Sequence, residues 1–186
     1  MTHSTSTRWT RRGAIGATLA LAACGTQSAP SREQLDARVD VAMMELFETV
    51  PGTQTLADRA AGMLVMPSVT EAGLFLGGSY GEGALVIGGA KVDYFSAASA
   101  SIGLQVGGQR YRHALFFMTP EALARFRQTD GWEIGVDAEY ALPSEGGAVT
   151  VTSTSINKPV YAVIFGQSGL IIGASLEGLK YSRIIR

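Results

Sequence analysis

Few residues in this sequence could do covalent chemistry. It contains two histidines, His3 and His113, and one cysteine, Cys24. A Ser-His-Asp arrangement would have to use His113, and no serine lies in the G-x-S-x-G context of a nucleophile elbow. His113 sits in "RHALFFM" among apolar residues, where a lone histidine is more often structural than catalytic. No His/Cys cluster has metal-ligand spacing, so neither a metal nor a cofactor is implied. Asp137 and Glu139, two apart on a strand, read as a solvated edge rather than an acid–base pair. Gly81-Glu82-Gly83 begins like a dinucleotide loop, but Val86 occupies its third glycine position and Glu82 would repel a phosphate. No catalytic residue is assigned, and the expectation is a binding protein, not an enzyme. What remains are cations. Arg110 and Arg112 flank Tyr111 and so share one strand face, from which they can reach two phosphate oxygens together. The tail "LKYSRIIR" interleaves Lys180, Arg183 and Arg186 with Tyr181, Ile184 and Ile185, a mixture suited to a membrane interface. The plain alternative for both clusters is solvated charge.

The N-terminus says more. Residues 1–12 are polar and positive, and the 11 residues of 13–23 are apolar and small, which suits a signal peptide and is too short for a membrane span. Leu21-Ala22-Ala23-Cys24 resembles the lipobox of bacterial lipoproteins. The resemblance implies cleavage before Cys24 and acylation of its sulfur and then its amino group, with several acyl chains anchoring far more firmly than one. Cysteine catalysis is thereby excluded. Thr10-Arg11-Arg12 partly resembles a twin-arginine export signal, although Ala14 stands where a bulky apolar residue is preferred. Gly25 after the cysteine resembles lipoproteins sent to the outer membrane, facing the periplasm. Residues 24–31 then form a lipidated tether, small and polar beyond the cysteine, ahead of a domain over 32–186.

Charge limits the partners. The full chain carries 15 Lys+Arg and 16 Asp+Glu; removal of residues 1–23 deletes Arg8, Arg11 and Arg12 and leaves 12 against 16, or −4. Nucleic acid is not an expected partner of such a chain. Apolar residues make up 46% and charged residues 17%, so the domain has a substantial core.

These residues need elements to position them. Leu35, Val39, Ala42, Met43, Leu46, Phe47 and Val50 recur with a helical period, Ser31 and Gln34 offer a capping box, and Pro51-Gly52 ends the helix. Its charge is acidic: Arg32 and Arg38 against Glu33, Asp36, Asp40, Glu45 and Glu48, a net −3. That favours a helix packed on a sheet over one lying on anionic lipid. A shorter helix is expected over 55–61. "MLVMP", "LFLGG", "ALVIGG", "YFSAASASIGLQVGG" and "RHALFFM" read as short strands divided by glycine. "TPEALARFRQ" is a helix capped by Thr119, with Pro120 first and Leu123 and Phe126 inward. Further strands are expected over 136–142, 148–156, 159–167 and 169–177, with a hairpin at Glu145-Gly146-Gly147. The fold class is α+β: a curved, mostly antiparallel sheet or partial barrel of short glycine-rich strands, with an N-terminal amphipathic helix and a mid-chain helix. Glycine in "GLFLGGSYGEGALVIGG" (73–89) reads as structural, letting apolar strands turn hard and sit close.

Four blocks resemble the SYLF, or Ysc84-type, domain family. They are "AAGMLVMPSVTEAGLFLGGSYGEGALVI" (60–87), "SASIGLQVGGQ" (99–109), "FFMTPEALARF" (116–126) and "GQSGLIIGASLEG" (166–178), in family order. The resemblance implies a lipid-binding module: eukaryotic members bind phosphoinositides, fungal ones also bind and bundle actin, and bacterial ones are typically exported or lipid-anchored. The acidic first helix departs from the basic amphipathic helix to which lipid binding in the family has partly been attributed. A bacterial envelope is not expected to offer phosphoinositides or actin, so contact with phospholipid transfers better than either. The expected partner is therefore a phospholipid membrane, with Arg110, Arg112, Lys180 and Arg183 as headgroup candidates. The alternative is an envelope scaffold that binds a protein partner through exposed strand edges, with Cys24 providing all the membrane attachment.

Overall fold

The computed structural model describes residues 29–135, 140–141, 158–169, 176 and 178–186. Arg11, Arg12 and Cys24, the Asp137/Glu139 pair, the Glu145-Gly146-Gly147 hairpin, the strand expected over 148–156 and nearly all of those over 136–142 and 169–177 lie outside these residues.

Helix α1 spans Arg32–Thr49 and begins with the expected capping box. The Gln34 amide donates to Ser31 Oγ, and the Ser31 amide donates to Gln34 Oε1 at 3.1 Å. Leu35, Val39, Ala42 and Leu46 form its buried stripe. Helix α2, Thr53–Arg59, follows directly. Helix α3, Pro120–Gln128, is capped by Thr119 Oγ1, which accepts from the Ala122 amide at 3.1 Å, and buries Leu123 and Phe126.

The strands differ from the expected short segments. Two strands, β1 (Gly62–Ile87, 26 residues) and β2 (Ala90–Phe117, 28 residues), absorb all five glycine-divided blocks and pair antiparallel along their whole length. Glycine interrupts the apolar pattern without interrupting the hydrogen-bond ladder. Register shifts fall between Met66 and Val69, Gly73 and Phe75, and Leu85 and Val86. Pro67, which has no N–H to give the ladder, lies in the first of them. The connecting turn is Gly88-Gly89, with φ of 57° and 80°, the left-handed pair a tight hairpin turn requires.

On the other edge of β2, strand β6 (Lys180–Ile184) pairs with residues 94–98 and β5 (Val160–Gly169) pairs with residues 109–117. Two short strands extend the sheet, β3 (Trp132–Glu133) against β6 and β4 (Tyr140–Ala141) against β5. Only the β4–β5 pair is parallel among the described strands, so the sheet is mostly antiparallel as expected.

The long hairpin coils on itself. Gly62 at the start of β1 lies beside Ile87 at its end, where an added Cβ would stand 3.2 Å from Ile87 Cγ1. Gly81 packs so closely on the earlier half of the strand that a Cβ would stand 2.5 Å from the Ser68 carbonyl oxygen and 2.7 Å from Val69 Cγ2. A Cβ on Gly83 would collide with the Val65 carbonyl. The glycines of "SYGEGA" thus permit strand-on-strand approach, as the sequence suggests.

Coiling gives the sheet two buried faces. One packs Leu64, Met66, Val69, Phe95, Tyr111, Leu115 and Phe117 against Leu123 and Phe126 of α3, with Trp132 and Tyr181. Phe126 is the hub of this core, its ring centroid 4.5 Å from Phe95, 4.7 Å from Phe117 and 5.2 Å from Trp132. The other face packs Met63, Val65, Ala84, Val86, Ala114, Phe116, Val163 and Phe165 beneath α1 and α2.

Candidate functional site

Side chains alternate along β2, so its two faces carry different chemistry. On the α1 face the acidic helix meets the sheet's cations. Asp40 pairs with Lys91 at 2.6 Å, and Glu45 pairs with Arg112 at 2.8 Å. Tyr94 Oη donates to Asp36 at 2.8 Å and accepts from Arg32 Nε at 3.0 Å. The helix is therefore a sheet-packing helix, and its negative charge complements the surface beneath it.

Arg110 and Arg112 do share this face, but their environments differ. Arg110 is exposed, with Thr70 and Ser168 opposite it on the flanking strands. Arg112 is half-buried in its ion pair with Glu45, and its guanidinium lies over Gly166. Gly166 has φ 57° at a register irregularity in β5, and its missing side chain opens the path between Arg112 and Glu45.

The tail divides in the same way. Lys180 is exposed on β6, opposite Glu133 of β3. Arg186 folds back onto Glu82, whose Oε1 also accepts from Tyr80 Oη at 2.7 Å. The glutamate that argued against a phosphate at this loop is thus neutralised within the fold. Burial and the Glu82 carboxylate together raise the Tyr80 pKa, so its phenol stays protonated. Ile185 is 97% exposed.

On the α3 face, Arg183 and Arg127 converge on Asp93. The Asp93 side chain is 3% exposed. Its Oδ2 accepts from Arg127 Nε at 2.9 Å and lies 2.8 Å from Arg127 Nη2, while Oδ1 accepts from Arg183 Nη2. Sequence reasoning selected Arg183 but missed Asp93 and Arg127. An aspartate inside the apolar run of β2 was the one available signal.

Deeper in the same core, His113 is fully buried and shares a 2.8 Å hydrogen bond between Nε2 and Tyr181 Oη. Its Nδ1 has no partner among the described residues. Burial lowers the His113 pKa to about 3, so the imidazole is neutral. Burial also pushes Tyr111 up to about 12 and raises Tyr181, the latter with a further push from Tyr111. The histidine is packed as a core residue, as its apolar context suggests. Among the described residues no group of His, Cys, Asp and Glu could hold a metal, and no helix is long and apolar enough to cross a membrane.

Residues 98–183 match the family model Ysc84, described as "Las17-binding protein actin regulator". Over that segment the chain is similar to the Ysc84-type, or SYLF, domain. The matched segment runs from the middle of β2 to β6, and so includes Arg110, Arg112, Arg127, Lys180 and Arg183. SYLF domains form a family of lipid- and actin-binding modules and are not known as enzymes. Beta cell expansion factor A of Aeromonas veronii is 27% identical over 154 residues, covering 81% of this chain and 56% of that protein. The chain therefore spans just over half the length of that curated relative.

Proposed function

We propose that this is a lipid-anchored protein of the bacterial envelope whose SYLF domain binds phospholipid. Cys24 carries the acyl chains after export through Arg11 and Arg12, residues 25–31 tether the domain, and the protein resides in the outer membrane facing the periplasm. The observation that carries the lipid reading is the C-terminal edge. Lys180 and Arg183 are exposed on one five-residue strand, and a wholly exposed Ile185 follows it. Cations beside an aliphatic side chain suit the headgroup region, where charge meets phosphate and the apolar group enters the acyl boundary. Exposed Arg110 adds a third cation, and Arg112 becomes available where a phosphate outcompetes Glu45.

The test uses the full chain with Cys24→Ser, so that any sedimentation with vesicles comes from the domain. Binding to phosphatidylcholine vesicles containing phosphatidylglycerol is expected, with loss on replacement of Arg110, Arg112 and Lys180 by Ala. Unchanged binding of the triple variant would sink these headgroup assignments.

A second reading, a scaffold for a protein partner, is favoured by α1. Val41 and Met44 stand one turn apart on its outer surface, 55% and 62% exposed. A Cys24→Ser chain that does not bind these vesicles would favour this reading.

A further inference from the structure

The geometry points to an oxyanion site made by Arg127 and Arg183 and held in shape by Asp93, with a phosphate group as its ligand. The phosphate is either a phospholipid headgroup or a soluble phosphate ester.

Asp93 is enclosed, and its two oxygens are divided between the two arginines. Arg127 uses Nε and one terminal nitrogen on Oδ2; Arg183 uses one terminal nitrogen on Oδ1. A guanidinium has five N–H donors in a planar fork, so each arginine keeps donors after satisfying Asp93. Those remaining donors are near solvent, because the two side chains are 42% and 59% exposed. One buried carboxylate against two guanidiniums leaves the cluster with a net charge of +1. Lys91, close by in sequence, is already paired with Asp40.

The carboxylate does two things for such a site. It offsets part of the repulsion between two cations brought together. It also fixes both side chains, which lowers the rotamer entropy lost when an anion binds. Paired guanidiniums with free N–H edges match the oxygens of a phosphate, and bonds between ionised partners are the stronger kind. The three residues come from β2, α3 and β6, so the fork exists only in the folded domain. The inference rests on the phospholipid reading only for the source of the phosphate.

The full chain with Cys24→Ser is titrated with inorganic phosphate while the Nε–H resonances of Arg127 and Arg183 are followed by NMR. Saturable shifts of both are expected, and Arg127→Gln with Arg183→Gln should abolish saturation. Because the glutamine pair leaves Asp93 buried and unpaired, Arg127→Lys with Arg183→Lys is measured as well. That pair keeps the charge on Asp93 compensated but removes the planar fork, and should weaken phosphate by about tenfold. Absence of a saturable shift in the parent chain, or undiminished affinity in the lysine pair, would overturn the site.

Vesicles of phosphatidylcholine with phosphatidylglycerol identify the source. Sedimentation lost in the lysine pair supports the fork as a headgroup site. Sedimentation retained while the phosphate titration weakens supports it as a site for a soluble ester. A parent chain that saturates with phosphate but binds no vesicle refutes the phospholipid reading and leaves the fork standing.

Discussion

Gly83 lies directly against the carbonyl of Val65, within the same strand, so closely that a single methyl group could not be placed between them. The contact arises because β1 coils back on itself and its later half crosses its earlier half. Gly83→Ala forces backbone apart in a close-packed core and should cost about 3 kcal/mol. Gly88→Ala is the control: its added Cβ meets nothing within 4 Å, and only the left-handed backbone is strained. That variant should lose about 1 kcal/mol. Urea midpoints of the two variants would separate crowding from backbone strain. Equal losses would contradict the crossing.

Burial of His113 makes stability depend on pH in one direction. Its folded pKa, about 3, is below the ordinary value of about 6.5, so between these values the unfolded chain binds the proton and the folded one does not. The His113 contribution is complete above pH 6.5 and is lost as the pH falls towards 3. The slope attributable to this group reaches about 1.4 kcal/mol per pH unit within that window. Thermal melts from pH 7 to pH 4 should show it, and His113→Gln, which cannot charge, should flatten the profile even if the variant starts less stable. A parallel slope in the variant would assign the acid sensitivity elsewhere.

The Arg112–Glu45 pair is half exposed, so its coupling should be small. A double-mutant cycle with Arg112→Gln and Glu45→Gln should give about 0.5 kcal/mol, falling in 1 M salt. Gly166→Ala should cost more than breaking the pair, about 2 kcal/mol, because the new methyl strains a left-handed backbone and meets the guanidinium. Chemical denaturation of the four chains ranks these effects. A coupling well above 1 kcal/mol would show that the pair is desolvated.

Both long helices depend on polar caps. Ser31→Ala and Thr119→Ala should each lose about 1 kcal/mol, and Ser31→Gly only a few tenths. Amide hydrogen exchange in the first turn of α1 should accelerate in Ser31→Ala before exchange in β2 does. Simultaneous acceleration throughout would make α1 inseparable from the sheet core.

The three helices were legible for local reasons. Ser31 with Gln34, Thr119 with Pro120, and the spacing of Leu35, Val39, Ala42 and Leu46 act within one or two turns of chain. The strands were legible as apolar blocks, but their number was not. Gly73, Gly77 and Gly107 look like boundaries in sequence and lie inside β1 and β2, because a ladder is closed by a partner strand and not by the local pattern. The charged residues show the same limit. Arg110, Arg112, Lys180 and Arg183 could be selected as cations, but their states depend on distant partners. Asp93 lies 34 residues from Arg127 and 90 from Arg183, and Glu82 lies 104 from Arg186.

The sequence by itself determined the family resemblance, the fold class, the caps of α1 and α3 and the structural role of the Gly73–Gly89 stretch, since each is written in residues that act on near neighbours. Only the tertiary structure decided which cations are paired within the fold, why Gly81 and Gly83 must be glycine, and that Arg127 joins Arg183 on Asp93. The physical reason is the coiling of one long hairpin. A curled sheet brings together groups far apart in the chain, and burial then decides which charges must be answered inside the protein and which stay free for a ligand.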